Sequence, residues 1–189
     1  MRIVFKNSKI VFASAKWSAK GSVIKVSPSD VSEVALPNNA RVYGRNLVDY
    51  DKLKLYTILN DAGQEVADSS SYFNNFIPIN GQPTTLLTNY GFSRIYFYDE
   101  NKNLFLRMGV ANASSYDVPA EHNKKKIAWV KVQTSALSEN DLKQYMVVMD
   151  ESSVPTTYEP YQSNADGAIY SPYSWVWADD LSEIEITSK

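Results

Sequence analysis

Ile95-Tyr96-Phe97-Tyr98-Asp99 and Ile127-Ala128-Trp129-Val130-Lys131-Val132 are the stretches whose reading decides the fold. Both alternate with period two, and in a strand successive side chains point to opposite faces. In the first run Ile95, Phe97 and Asp99 share one face, and Tyr96 and Tyr98 share the other. In the second, Ala128, Val130 and Val132 form a wholly apolar face that belongs in a core. Trp129 lies on a mixed face with Ile127 and Lys131, which is expected to border solvent or a partner.

Outward from these runs the same pattern repeats. Strands are expected at 55–59, 70–73, 76–79, 84–89, 93–99, 104–110, 126–134, 145–149 and 157–161, separated by Asn, Asp, Gly, Ser and Pro clusters. Glu100-Asn101-Lys102-Asn103 reads as a hairpin turn. Near the N-terminus, 2–6 and 9–13 read as a hairpin across Asn7-Ser8, and 22–26 as a third strand. Val31 to Val34 fits either strand or loop, and Leu36-Pro37-Asn38-Asn39 is a turn. The single helical signal is Ser138-Glu139-Asn140-Asp141, a capping-box-like start to one short turn. Many short strands, almost no helix and no fixed repeat predict an all-β sandwich, two sheets burying alternate residues between them.

Composition narrows the chemistry. The 189 residues are 44% hydrophobic with a net charge of −2, which suits one packed core with extensions. No basic stripe is present, so nucleic acid is not an expected partner. Lys124-Lys125-Lys126 reads as a solvated loop. There are no cysteines, hence no disulfides, thiolate metal sites or cysteine nucleophiles. Lys6, Asn7, Ser8 and Lys9 interrupt the first apolar stretch, leaving far less than the about 7–15 residues of a signal-peptide core. No run approaches the roughly 20 apolar residues of a membrane span, so no membrane insertion is expected.

Catalytic constellations are missing. The doublets Asp99-Glu100, Asp150-Glu151 and Asp179-Asp180 point to opposite faces of any strand and make poor glycosidase pairs. His122 is the one histidine, in a polar approach to a strand, and no G-x-S-x-G accompanies it. Asp99, Asn101 and Asn103 alternate like calcium ligands, but the glycine and distal glutamate of such a loop are absent, and a turn explains them better. No glycine-rich phosphate loop occurs. The expectation is a non-enzymatic protein without cofactor or catalytic residue, and without an identifiable metal site.

The ordered set Asn46-Leu47-Val48-Asp49, Phe76-Ile77-Pro78-Ile79, the 95–99 run, the 127–132 run and Tyr158-Glu159-Pro160-Tyr161 resembles the carbohydrate-binding-module-like jelly rolls of tailed-phage tail, baseplate and fibre proteins. The resemblance covers residues 46–161 and implies a jelly-roll β-sandwich. Residues 1–45 are then an N-terminal β anchor or sheet extension, and 162–189 an aromatic C-terminal β extension. It implies a virion structural protein of tail, baseplate or head fibre, assembled in the host cytoplasm. Its partners would be other virion proteins and host-surface or mucosal glycans. A homo-oligomer is expected, with a trimer favoured. If a glycan binds, Tyr72, Asn74, Asn75, Tyr90, Tyr116 and Trp129 are the candidate lining, with core packing as the alternative for each. Tyr173, Trp175 and Trp177 stand two apart, so a strand aligns all three for an interface or for packing. A purely structural module without ligand and a bacterial surface glycan-binding domain are the rival readings.

Overall fold

The structure, a computed structural model, describes residues 2–4, 22–26, 31–36, 41–79, 81, 83–164, 174–178 and 185–188. Among these residues every strand pairing is antiparallel, and helix is confined to one turn of 3₁₀ at Tyr50–Lys52 and the helix Glu139–Lys143. The protein is all-β, consistent with an all-β sandwich. It divides into two compact units, one of residues Asn46–Pro160 and one combining Met1–Arg45 with Tyr161–Lys189.

The Asn46–Pro160 unit is built on a long hairpin, Thr84–Tyr98 with Leu104–Val118. Its seven-stranded sheet runs Leu104–Val118, Thr84–Tyr98, Trp129–Gln133, Tyr72–Phe73, Leu53–Lys54. Val147–Met149 also pairs with Thr84–Tyr98, and Ile77–Pro78 with Trp129–Gln133. Strands expected at 84–89 and 93–99 are therefore one. The turn residues between them form a bulge. Gly91 has φ +89°, and a Cβ there would stand 2.6 Å from the Asn112 carbonyl oxygen, so only glycine fits. Ala111 and Asn112 opposite also have positive φ. The bulge lets one half of the strand pair with Val147–Met149 and the other with Trp129–Gln133.

The turn expected at 100–103 forms. Asp99 Oδ1 accepts from the Asn101 and Asn103 amides at 3.0 and 2.8 Å, and Lys102 takes a positive φ. This use of the carboxylate explains the alternating Asp and Asn without a metal. The helix also starts where expected, with Ser138 Oγ accepting from the Asp141 amide at 3.2 Å. The Asp141 carboxylate bonds the Ser138 hydroxyl rather than a free backbone amide.

Other expectations change. Of the run Lys124-Lys125-Lys126 only Lys124 is in a turn: Glu121–His122 and Lys125–Lys126 pair across Asn123 and Lys124, both at positive φ. Lys125 reaches Asp99 at 3.1 Å and Lys126 reaches Glu100 at 2.7 Å. The strand expected at 157–161 does not form, because Pro160 has no amide to donate and the Glu159 amide goes to Met146 Sδ at 3.2 Å. A missed hairpin, Thr57–Leu59 with Glu65–Ala67, turns over Asn60, whose side chain bonds the Ala62 and Gln64 amides.

In the second unit the terminal segments interleave. Glu185–Ser188 lies between Arg2–Val4 and Val31–Ala35. Ser174–Ala178 lies between Arg41–Tyr43 and Ser22–Val26, with Ser163–Asn164 on the outer edge of Arg41–Tyr43. Arg2–Val4 thus pairs with the C-terminal end of the chain, and residues 9–13, its expected partner, lie outside the described residues. Val31 to Val34 is strand. Ile24, Val176 and Val42 stand side by side in the register, and Val42 and Val176 are fully buried.

Candidate functional site

The central strand Trp129–Gln133 is buried on both faces, so the mixed face does not border solvent as expected. Register assigns the faces. Phe97, Ile95, Val130, Val132 and Ile77 share the apolar one. Arg94, Tyr96 and Tyr98 stand opposite Gln133, Lys131 and Trp129 on the other, joined by Tyr72 and Arg107.

The missed hairpin is what covers this second face. The Leu59 amide donates to Tyr96 Oη at 3.1 Å, and that hydroxyl donates to Gln133 Oε1. Tyr72 donates to Glu65 Oε1 at 2.6 Å. Arg107 donates to the Leu59 carbonyl at 3.3 Å and pairs with Asp61 at 2.8 Å. Tyr96, Tyr72, Gln133 and Arg107 so gain partners, which is the condition for burying such groups at all. Glu65 is held below the usual carboxylate range, chiefly by the Tyr72 hydroxyl and also by Lys54. Burial, reinforced by Glu65, pushes the Tyr72 phenol up.

At the other end of the face, Phe76 stands edge-on to Tyr98 and Trp129, with centroids 5.0 and 6.1 Å away. Two ammonium groups flank this cluster. Lys131 Nζ lies 4.2 Å from the Phe76 centroid and 5.3 Å from Tyr98. Lys102 Nζ lies 5.0 Å from both Phe76 and Trp129. Lys131 is only 7% exposed and donates to Asn74 Oδ1. Burial is the main reason its pKa falls to about 8; Glu65 opposes the fall and Lys102 adds to it.

Of the residues singled out from sequence, this face brings Tyr72, Asn74 and Trp129 together. Tyr72 is 1% and Trp129 7% exposed. Asn75 lies nearby in sequence but ties the start of the unit, donating to the Leu47 carbonyl at 2.7 Å and accepting from the Asp49 amide at 3.2 Å. Tyr90 stacks on Tyr145 at 6.3 Å, and Tyr116 packs against Phe97 at 6.2 Å, both away from this face. Trp175 is 2% exposed in the middle strand of its sheet. Tyr173 and the side chain of Trp177 lie outside the described residues.

Sequence reasoning passed over Lys131, Phe76 and Lys102. The signal for Lys131 was present: a lysine flanked by Val130 and Val132 in the strand assigned to the core. Lys102 had no such signal, since only the turn geometry brings it over the rings. Tyr56, 67% exposed, is a ring left to solvent, with exposed Leu55 beside it and Val66 in the same hairpin region. Among the described residues no group of three or more His, Cys, Asp or Glu could hold a metal ion, and no helix is long and apolar enough to cross a membrane. Comparison with protein-family models, with curated proteins and with solved structures finds no match to this chain.

Proposed function

We propose that this protein is a non-enzymatic structural protein of a phage virion, with the Asn46–Pro160 unit serving as a jelly-roll module for assembly and host attachment. The observation that carries the reading is how the unit closes. Asn46 Nδ2 donates to the Glu159 carbonyl at 2.9 Å, and Asn46 Oδ1 accepts from Val48 and Val147 amides, both at 3.2 Å. The Leu47 amide meets the Val147 carbonyl at 2.9 Å. Asn46 and Glu159 belong to the brackets on which the resemblance to phage modules rests. Their contact supports treating the segment between as one module.

A second reading, assembly without a ligand, is favoured by the burial of Tyr72 and Trp129. Rings used in packing are not free to stack on a sugar. If the first reading holds, attachment falls to Tyr56 with Leu55 and Val66, exposed apolar side chains at the covering hairpin and just before it. A glycan array with the full chain separates the two. Binding that is lost in Tyr56→Ala supports attachment through the hairpin. No signal above background, with a discrete oligomer by light scattering, supports assembly alone. A monomer that binds no glycan would sink both.

A further inference from the structure

Lys131 is the buried group that neither reading uses. We propose that its amine condenses with the Asn74 carboxamide, forming an amide cross-link between the central strand Trp129–Gln133 and the segment that follows Tyr72–Phe73.

Geometry supplies the reacting pair. Lys131 Nζ donates to Asn74 Oδ1, which holds the nitrogen beside the carboxamide whose carbon, one bond beyond that oxygen, it would attack. Such a held approach removes the entropy of bringing the reactants together. Phe76, Tyr98 and the buried Trp129 wall the site and limit competition from water. Asn74 is fixed from its other end by its own amide, which donates to the Lys52 carbonyl at 2.9 Å.

The amine must be neutral to attack. Burial and the Lys102 charge favour that form, and the drop to about 8 leaves a fraction of Lys131 unprotonated at neutral pH. The step balances without any outside reagent. Nζ attacks Cγ, a new C–N bond forms, the Asn74 Cγ–Nδ2 bond breaks, and ammonia leaves. One Nζ proton must move to the departing nitrogen. The product would staple positions 57 residues apart in a chain without cysteine.

Intact mass of the full chain under denaturing conditions tests this. The expected mass is one ammonia below that of the sequence, allowing for any removal of Met1. Proteolysis should release a branched peptide joining Lys131 to Asn74. Lys131→Arg and Asn74→Ala should each restore full mass. Wild-type protein at full mass overturns the proposal. So does a deficit that survives Lys131→Arg, as a cyclic imide at Asn80-Gly81 would, since that loses ammonia without any branched peptide.

Discussion

The two faces of the central sheet are equally buried and differently built. One carries Ile95, Phe97, Val130 and Val132. The other carries Tyr96, Lys131 and Gln133. The apolar face needs only shape and area, because burial of hydrocarbon is favourable without direction. The second face holds together only while its polar atoms keep their partners, which come from neighbouring strands, from Asn74 and from the hairpin of Thr57–Leu59 and Glu65–Ala67. The contrast teaches that period two identifies the strand but does not say which face meets solvent.

Breaking the apolar face should cost most. Phe97→Ala removes a fully buried ring that packs against Tyr116, and should lower stability by about 3–5 kcal/mol in urea unfolding. A loss below about 1 kcal/mol would mean that this face is not the core. Trp175→Ala makes the matching cut in the second unit, also about 3–5 kcal/mol. An unchanged mass in solution would assign that ring to the core. A drop in oligomeric state would return it to an interface.

On the polar face, the expected loss from a single hydroxyl is smaller. Tyr96→Phe keeps the ring but takes away the partner of the Leu59 amide and leaves Gln133 Oε1 only the long 3.4 Å bond from Arg94. The expected cost is about 1–3 kcal/mol. Equal stability of Tyr96→Phe and wild type would show that the hairpin opens readily and that the face is accessible. That outcome would revive Tyr72 and Trp129 as ligand contacts.

Alkaline titration reads both faces together. Burial raises the phenols of Tyr72, Tyr98 and Tyr145 above the ordinary value of 10.0, with Glu65 adding to Tyr72 and Tyr96 to Tyr98. Above that pH the unfolded chain sheds protons that the native state retains, so stability falls as pH rises through and beyond about 10. Tyrosinate absorbance should therefore appear with unfolding for these rings rather than ahead of it. The smallest effect is expected at the surface. Lys126→Ala breaks an exposed pair with Glu100 and should change stability by less than about 1 kcal/mol.

Much of this was legible from sequence because it depends on local rules. Alternation gave the runs around Tyr96 and Val130, the Asp99 turn has its chemistry within five residues, and Ser138 announces the helix three residues ahead of its partner. The candidate site was legible only in pieces. Tyr72, Asn74 and Trp129 were picked out as rings and amides, yet their surroundings depend on Lys131, Phe76 and Lys102, which meet only when the segments around 74, 102 and 130 come together. The bulge at Gly91 was hidden for the same reason, since the clash that requires glycine is with Asn112 on the opposing strand.

By itself the sequence determined an all-β chain, the turn after Asp99, the helix start at Ser138 and a core strand within 126–134, because backbone preference and side-chain alternation act over a few residues. Only the tertiary structure decided that both faces of that strand are buried, that the two ends of the chain share sheets, and that a lysine meets an asparagine among aromatic rings. Those outcomes depend on which distant segment covers which surface, and in an all-β protein almost every such contact is made across long stretches of chain.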